Sequence, residues 1–411
     1  MKFRPAIGGV GSRASFSLNV VPLRATSGYV QLFACLHPGF RRAAVYSATR
    51  KLARSKFLMS LTKVTAYRIY VWCGLLITAV GPLAACQEAP SPTPGPMGRI
   101  EVHDARFHEL VATDAVVEIV ADSFRWSEGP VWVGGYEGFI LFSDVPANVI
   151  YKWSAGEGLS EWLAPSGYTG DTPRQASNGS NGLTLDSQGQ LVLAQHGDRR
   201  VARMNAPLSE PTPTFETIAD RWNGMRFNSP NDLAFDASGN LYVTDPPYGL
   251  PGGGASSERE IPFSGVYKVD PAGEVTLISD ALAFPNGVAL SPDDSRLYVT
   301  NSEPGRKLLV YFQRLADGNF GDMSVMADMS NFPGDNNPDG LKVDASGNIF
   351  TTGPEGVYVY APDATLLGTI HTDVRTANCA WGDDGSTLYI AGHMFLLRVR
   401  TSTRGDRFGA G

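Results

Sequence analysis

The sequence predicts an all-β protein, a six-bladed β-propeller closed by an N-terminal strand. One short phrase with a polar first residue recurs six times, and short β-branched and aromatic runs alternate with turn motifs. No long amphipathic helical pattern is present from position 99 onward. By subtraction, successive phrases begin 53, 50, 55, 53 and 39 residues apart. Such a period is typical of propeller blades rather than of helical repeats.

The first residues of the six phrases, here called the repeat heads, are all carboxylic acids or amides. They are Glu128 (EGPVW), Asn181 (NGLTLD), Asn231 (NDLAFD), Asn286 (NGVALS), Asp339 (DGLKVD) and Asn378 (NCAWGD). Each phrase predicts a strand, and equivalent positions of a propeller lie at equivalent places around its axis. We therefore expect the heads to meet at one end of a central channel.

The third repeat predicts a complete blade, with strands at 232–236, 241–245, 265–269 and 274–278. Its first turn, DASGN at 236–240, recurs at 344–348, and such Asp, Asn and Gly clusters are typical of hairpin connections. The sixth repeat has room for only about three strands before the chain ends. Residues 115–120 (AVVEIV) are predicted to supply the fourth, which would remove an exposed edge.

Residues 1–85 have the composition of a leader, with 12 Lys or Arg and no Asp or Glu. A basic segment precedes the apolar run at 69–80, and the tetrapeptide LAAC at 83–86 resembles the lipobox of bacterial lipoproteins. This pattern predicts export and a lipid anchor at Cys86, on the periplasmic or cell-surface side of a bacterial membrane. An uncleaved anchor is the alternative, which Pro82 and the short apolar run disfavour. Met59 is a possible true start, and a long basic presequence is the other interpretation.

The chain beyond the leader is acidic, with 22 Lys or Arg and 41 Asp or Glu. That balance argues against nucleic acid as a partner, so membrane attachment would come only through the lipid. Residues 86–98 alternate Pro with small residues and predict an extended tether, followed by the propeller domain at 99–411. After Cys86 the only cysteine is Cys379, which excludes a disulfide framework in the mature chain.

Four of the repeat heads form a donor set made only of oxygen. If Glu128, Asn231, Asn286 and Asp339 converge, two carboxylates and two amides favour Ca²⁺, with Mg²⁺ or Mn²⁺ also compatible. The alternative is that the heads only cap strands and satisfy backbone groups. Two carboxylates in apolar surroundings argue for the metal, because buried charges need partners.

The phrases SEGPVW, NSPNDLAFD, FPNGVALS and PDGLKVD resemble those of the gluconolactonase and senescence marker protein (regucalcin) family. SNGLTLD, AQHGDRRV, TDPPYGL and TANCAWG are similar to its bacterial gluconolactonase-like branch. The resemblance covers roughly residues 115–400. It implies a six-bladed propeller that hydrolyses lactones and holds one divalent metal, usually calcium, in its channel. Carried over by motif, the metal ligands would be Glu128, Asn231, Asn286 and Asp339.

On this resemblance, the metal would polarise the lactone carbonyl while a carboxylate accepts a proton from the attacking water. Asp339 is the first choice for that base and Glu128 the second. His196 is a further candidate for proton transfer or substrate contact, although a lone histidine after a strand is often a turn residue. The residues expected to contact the substrate are Asn181, Tyr248 and Arg226.

Two other functions stay open at this point. A propeller without catalysis could use its faces to bind a ligand or a protein, because one fold hosts many functions. The same metal site could also hydrolyse a phosphotriester or an aryl ester instead of a lactone.

Overall fold

We describe a computed structural model of residues 97–406, except residues 136 and 175. Within these residues the chain forms six antiparallel sheets of at least four strands, arranged as successive blades. The predicted six-bladed propeller is thus confirmed. The predicted leader, Cys86 and nearly all of the predicted tether lie outside the described residues. None of the helices in the described part of the chain has the length and apolar character needed to cross a membrane.

Two strands precede the first blade, β1 (Arg99–Val102) and β2 (Glu118–Ala121). Blade one contains β3 (Ser127–Val133), β4 (Phe139–Asp144), β5 (Val149–Ser154) and β6 (Gly158–Leu163). Blade two contains β7 (Ser180–Leu185), β8 (Leu191–Gln195), β9 (Arg200–Met204) and β10 (Phe215–Ala219). A separate two-stranded ribbon follows, β11 (Arg221–Trp222) and β12 (Met225–Arg226).

Blade three contains β13 (Leu233–Phe235), β14 (Leu241–Asp245), β15 (Gly265–Val269) and β16 (Val275–Ser279). Blade four contains β17 (Pro285–Leu290), β18 (Arg296–Glu303), β19 (Arg306–Arg314) and β20 (Phe320–Asp328). Blade five contains β21 (Leu341–Val343), β22 (Ile349–Gly353), β23 (Gly356–Tyr360) and β24 (Leu366–His371). Blade six contains β25 (Asn378–Gly382), β26 (Thr387–Gly392) and β27 (Phe395–Arg400). Short 3₁₀ helices are found at Ala105–Glu109, Val145–Ala147 and Gly253–Ala255.

The propeller closes through β2, which pairs antiparallel with β27 and completes blade six. Glu118 lies opposite Arg398, and their side chains form an ion pair with 2.7 Å between Arg398 Nε and Glu118 Oε2. The prediction of an N-terminal closing strand is confirmed, although the strand occupies Glu118–Ala121 rather than 115–120. Closure therefore joins segments from the two ends of the described chain.

A second N-terminal strand, which the sequence analysis did not anticipate, lies on the neighbouring blade. β1 pairs antiparallel with β24 and adds a fifth strand to the outer edge of blade five. At this edge Glu101 Oε2 lies 2.7 Å from His371 Nε2. The last residues of the predicted tether also contact the propeller domain. Met97 forms an antiparallel β-bridge with Val117, and the Gly98 N–H donates to the Asp373 carboxylate.

Six buried apolar clusters supply the core, and each lies where two successive blades pack face to face. At the interface between blades six and one, Trp132 stacks on Tyr389 with ring centroids 5.5 Å apart. Phe142 and Phe124 extend the same cluster with an edge-to-face contact at 4.8 Å. The closing interface is thus apolar, like the other five, and it holds the circle shut by burying hydrophobic surface.

Glycine follows the repeat head at positions 129, 182, 287 and 340, where the chain passes the head of the next blade. A Cβ atom at Gly129 would lie 2.0 Å from the backbone oxygen of Asn181. At Gly287 it would lie 2.3 Å from the backbone oxygen of Asp339. Since these distances are too short for any Cβ contact, the glycines let neighbouring inner strands approach closely around the channel.

We predict that Gly287→Ala destabilises the fold by about 1–3 kcal/mol, because the added methyl group overlaps the Asp339 backbone. The matched control is Gly156→Ala, where a Cβ would meet nothing within 4 Å. Neither glycine has a positive φ, so alanine can adopt the φ angle found at both positions and only the space around the added methyl group differs. Urea denaturation measures the effect, and the control should change stability by no more than about 0.5 kcal/mol. Equal stability of the two variants would contradict the close approach.

Candidate active site

The six repeat heads lie together at one end of the channel. Glu128, Asn181, Asn286 and Asn378 occupy the first or second position of an inner strand, while Asn231 and Asp339 come just before one. Five heads are at most 5 % exposed, and Asp339 is partly exposed. The circle closes where Asn378 Nδ2 donates to Glu128 Oε2 at 3.3 Å.

Two carboxyl groups of this circle, those of Glu128 and Asp339, lie close enough for the charge of Glu128 to act on Asp339. Burial raises the pKa of Glu128 to about 7, although the Gly129 N–H donates to its Oε2 at 2.6 Å and opposes the shift. The pKa of Asp339 is raised well above its usual range by burial, and then by the charges of Glu128 and Asp232. The pair is therefore a buried acidic centre suited to a positive ligand.

Several polar atoms around this centre have no hydrogen-bond partner. They are Oδ1 of Asn181, Asn286 and Asp339 and Nε2 of His196, all buried. Most buried polar atoms in proteins are paired, so three unpaired oxygen atoms among the repeat heads indicate a place for an ion or a ligand. No group of three or more His, Cys, Asp or Glu is placed to hold a metal within the described residues. A metal here would depend on amide oxygens as well as carboxylates.

Hydroxyl groups on the second strand of blades one, three and four hold the head of a neighbouring blade, which the sequence analysis missed. Ser143 Oγ donates to the backbone oxygen of Asn181 at 2.9 Å. Thr300 Oγ1 donates to the backbone oxygen of Asp339 at 2.6 Å and accepts from the Gly287 N–H at 2.8 Å. The signal in the sequence is a Ser or Thr directly before Asp or Asn, as in SD at 143–144 and TN at 300–301.

In the same three blades, the Asp or Asn of the dipeptide anchors the loop that leads into the head of its own blade. Asp245 accepts from the backbone N–H groups of Asn228 and Ser229 at 2.7 and 2.8 Å. Asp144 bonds the backbone of Arg125 and Trp126 in the same way. Burial raises the pKa of Asp245 to about 7, and the two backbone bonds only partly offset that shift. These carboxyl groups thus position the site without entering it.

His196 lies beside the channel, under the segment that carries Tyr248. It is 2 % exposed, and its Nδ1 lies 3.4 Å from Ser177 Oγ. A Cβ on Gly249 would be only 2.7 Å from the His196 Cβ, so that segment packs directly on the imidazole. Burial lowers the pKa of His196 to about 3, with a further contribution from the charge of Arg174. The ring is therefore neutral, with one free nitrogen.

Tyr248 overlies the heads, whereas Arg226 does not. The Tyr248 ring stacks on Phe284 with centroids 5.7 Å apart, and its hydroxyl lies near Asn286 and Ser302. Burial of that hydroxyl raises the pKa of Tyr248 above its usual value. Arg226 instead donates to the backbone oxygen of Asp198 at 2.9 Å, in a separate cleft. The structure thus groups Tyr248 with the repeat heads and places Arg226 apart from them.

The sequence profile of the family described as SMP-30/Gluconolactonase/LRE-like region matches residues 126–393. That span includes all six repeat heads, His196 and Tyr248. The chain belongs to this family. The prediction made from the repeated phrases is confirmed.

Relatives with assigned activities support the same grouping. A gluconolactonase of Zymomonas mobilis is 35 % identical over 317 residues, which cover 75 % of this chain and 88 % of the relative. A pentonolactonase of Haloferax volcanii is 26 % identical, covering 67 % of this chain and 84 % of its own length. The solved structure of a gluconolactonase from Xanthomonas campestris superposes with a TM-score of 0.64 at 27 % identity, covering 76 % and 99 % of the two chains.

We predict that His196 stays neutral throughout the roughly pH 5–8 range in which an ordinary histidine titrates, because its buried ring does not accept a charge. Nitrogen-15 NMR of the histidine side chains measures this, and His196→Gln assigns the resonance. A His196 signal that moves between pH 5 and 8 would contradict the burial described here.

Proposed function

We propose that this protein is a lactone hydrolase whose active site is the circle of repeat heads. Family membership and the lactonase relatives support the reaction class. The observation that carries the assignment to this site is the set of unpaired, buried oxygen atoms around the Glu128–Asp339 pair. A purely structural channel has no need of such a centre, because unpaired buried polar groups cost stability.

We further propose that a divalent cation, with Ca²⁺ favoured, binds among Glu128, Asn231, Asn286 and Asp339. The two carboxylates supply charge, and the free Oδ1 atoms of Asn286 and Asp339 supply hard oxygen donors, so the residues fit such an ion. When bound, the cation would supply Lewis acidity towards the lactone carbonyl.

Within this proposal Asp339 is the better general base. Its carboxylate has an oxygen, Oδ1, with no partner in the protein and can serve both the cation and the attacking water, whereas Glu128 Oε2 already accepts from Gly129 and Asn378. Asp339 would accept a proton from the water that attacks the carbonyl carbon. The Thr300 hydroxyl holds the Asp339 backbone and so fixes where that carboxylate can point. Glu128 then serves mainly to hold charge at the centre.

The remaining polar groups suit a hydroxylated lactone. Asn181 presents a free Oδ1, and the neutral His196 presents a free Nε2. A pKa of about 3 makes His196 a poor proton acceptor, so contact with a substrate hydroxyl fits it better than proton transfer. Tyr248 adds an aromatic surface and a hydroxyl at the same opening. We therefore infer that sugar-acid lactones are the substrate class.

We predict that Asp339→Asn lowers metal-dependent lactone hydrolysis at least about 100-fold, since it removes ligand charge and the general base together. Calcium affinity, measured by calorimetry, should fall as well, while circular dichroism should show an intact β-fold. The matched control is Asp322→Asn at an exposed position in β20, which should keep full activity.

An assay of ester hydrolysis distinguishes the lactonase from the two alternatives, another hydrolase and a propeller that only binds a ligand or a protein. A lactone panel is tested after chelation and again with Ca²⁺ restored. Activity that disappears and returns supports the metal-dependent lactonase. Turnover of only phosphotriesters or aryl esters would replace the substrate class, and full activity of Asp339→Asn would overturn the site. Absence of both metal binding and turnover would favour a recognition propeller.

We also propose, from the sequence alone, that the protein is exported and lipid-anchored at Cys86. The LAAC tetrapeptide at 83–86 after an apolar run supports this. Mass spectrometry of the protein from bacterial membranes should find an acylated N-terminal Cys86, and Cys86→Ser should release the protein from the membrane fraction. An unmodified Cys86 within an uncleaved chain would contradict the anchor.

A further inference from the structure

A second polar cleft, with a cavity volume of about 440 Å³, lies beside blade two. Its walls come from the β6–β7 connection, the β8–β9 turn, β10, β12 and the β14–β15 connection. It shares no lining residue with the repeat heads. The cleft is therefore distinct from the candidate active site.

Arginine dominates the walls of this cleft. The four arginines that line it are Arg174, Arg199, Arg200 and Arg226. The acidic residues on its walls already have partners. Asp198 accepts from the Thr169 hydroxyl and pairs with Arg200. Glu258 pairs with Arg174 at 3.3 Å. Asp220 lies 3.4 Å from Arg221, a residue that does not line the cleft. Arg174 and Arg200 also donate to groups of the protein, so the donors that remain are mainly those of Arg199 and Arg226.

One of these guanidinium groups is both buried and incompletely bonded. Arg199 is 3 % exposed, and its Nε and Nη1 donate to the backbone oxygens of Phe227 and Glu258 at 2.8 and 2.9 Å. Its Nη2 is buried without a hydrogen-bond partner. Burial lowers the pKa of Arg199, and so does the nearby charge of Arg226. Glu260 Oε1 lies 3.9 Å from Arg199 Nη1, and the charges of Glu260, Asp245 and Glu258 oppose the lowering of the Arg199 pKa. None of these carboxylates bonds Nη2, so a buried donor remains that an anion in the cleft would pair.

We propose that this cleft binds the oxyanion, carboxylate or phosphate, of a small hydroxylated molecule. Guanidinium groups bind both anions through charge-assisted hydrogen bonds, which suits the unpaired Nη2 of Arg199 and the guanidinium of Arg226. Hydroxyl groups of Tyr168, Thr169 and Thr217 also line the cleft and can bind hydroxyls of the same molecule. The volume lies within the range of small-molecule sites.

A sugar acid is a natural source of such a carboxylate, because hydrolysis of a sugar-acid lactone releases one. Only this choice of source rests on the proposed function. The cleft also adjoins the active site in sequence, since Arg174 donates to the backbone oxygen of Gly197, the residue after His196. A ligand bound to Arg174 in this cleft would therefore lie next to the turn that carries His196.

Calorimetry on the purified protein tests the proposal, with sodium gluconate, inorganic phosphate and the neutral polyol sorbitol as probes. Saturable binding of gluconate or phosphate, but not of sorbitol, is expected. Arg226→Gln should weaken that binding roughly tenfold by removing one charge-assisted contact. Arg203→Gln is the matched control, because Arg203 lies in the same blade, pairs with Asp186 and Glu216, and does not line the cleft.

The outcomes separate the sources and the two sites. Binding of gluconate alone indicates a sugar acid, phosphate alone indicates a phosphorylated ligand, and both indicate the shared oxyanion. Binding that survives Asp339→Asn but falls in Arg226→Gln supports the cleft even if the lactonase proposal fails. Absence of anion binding at millimolar concentration, or anion binding that Arg226→Gln leaves unchanged, would overturn the proposal.

Discussion

Each inner strand of this propeller begins against the beginning of the next, and the other features of the molecule depend on that circle of contacts. Gly129 packs on the backbone of Asn181, Gly287 packs on that of Asp339, and Asn378 returns to Glu128. The contacts run mainly through backbone atoms, so they fix the position of the chain and leave the polar side chains free. Because the same strand start is repeated in every blade, oxygen atoms are concentrated at one end of the channel.

That concentration is unfavourable for the protein by itself. Burial raises the pKa of both Glu128 and Asp339, the charge of Asp232 adds to both shifts, and neither change strengthens the fold at neutral pH. The six apolar blade interfaces supply the compensating free energy, because they bury large side chains around the whole circle. Hydroxyls such as Thr300 and carboxylates such as Asp245 then hold the heads and their entry loops. The surrounding structure thus holds in place a polar centre that is unfavourable for stability, as is typical of functional sites.

The sequence predicted what symmetry determines. The six heads, the blade order and the closing strand follow from repetition, and the last was misplaced only at its ends, at 115–120 instead of Glu118–Ala121. Features that break the repeat were missed. β1 on blade five has no counterpart elsewhere, and Arg226 stands near Asn231 in sequence but faces a different cleft. The role of Thr300 needed the distance to a neighbouring blade, because its bond joins residues 39 positions apart.

The pairing of β2 with β27 also determines when, during synthesis, the propeller can close. Glu118 and Arg398 are 280 positions apart, so a strand that leaves the ribosome early has no partner until almost the whole domain has been made. Until then β2 lacks the other three strands of blade six, and unpaired strand edges invite association with other chains. Such distant pairing is slow to form. The growing chain must therefore remain soluble as an open arc of blades, and the channel mouth is complete only after the last strands join the first.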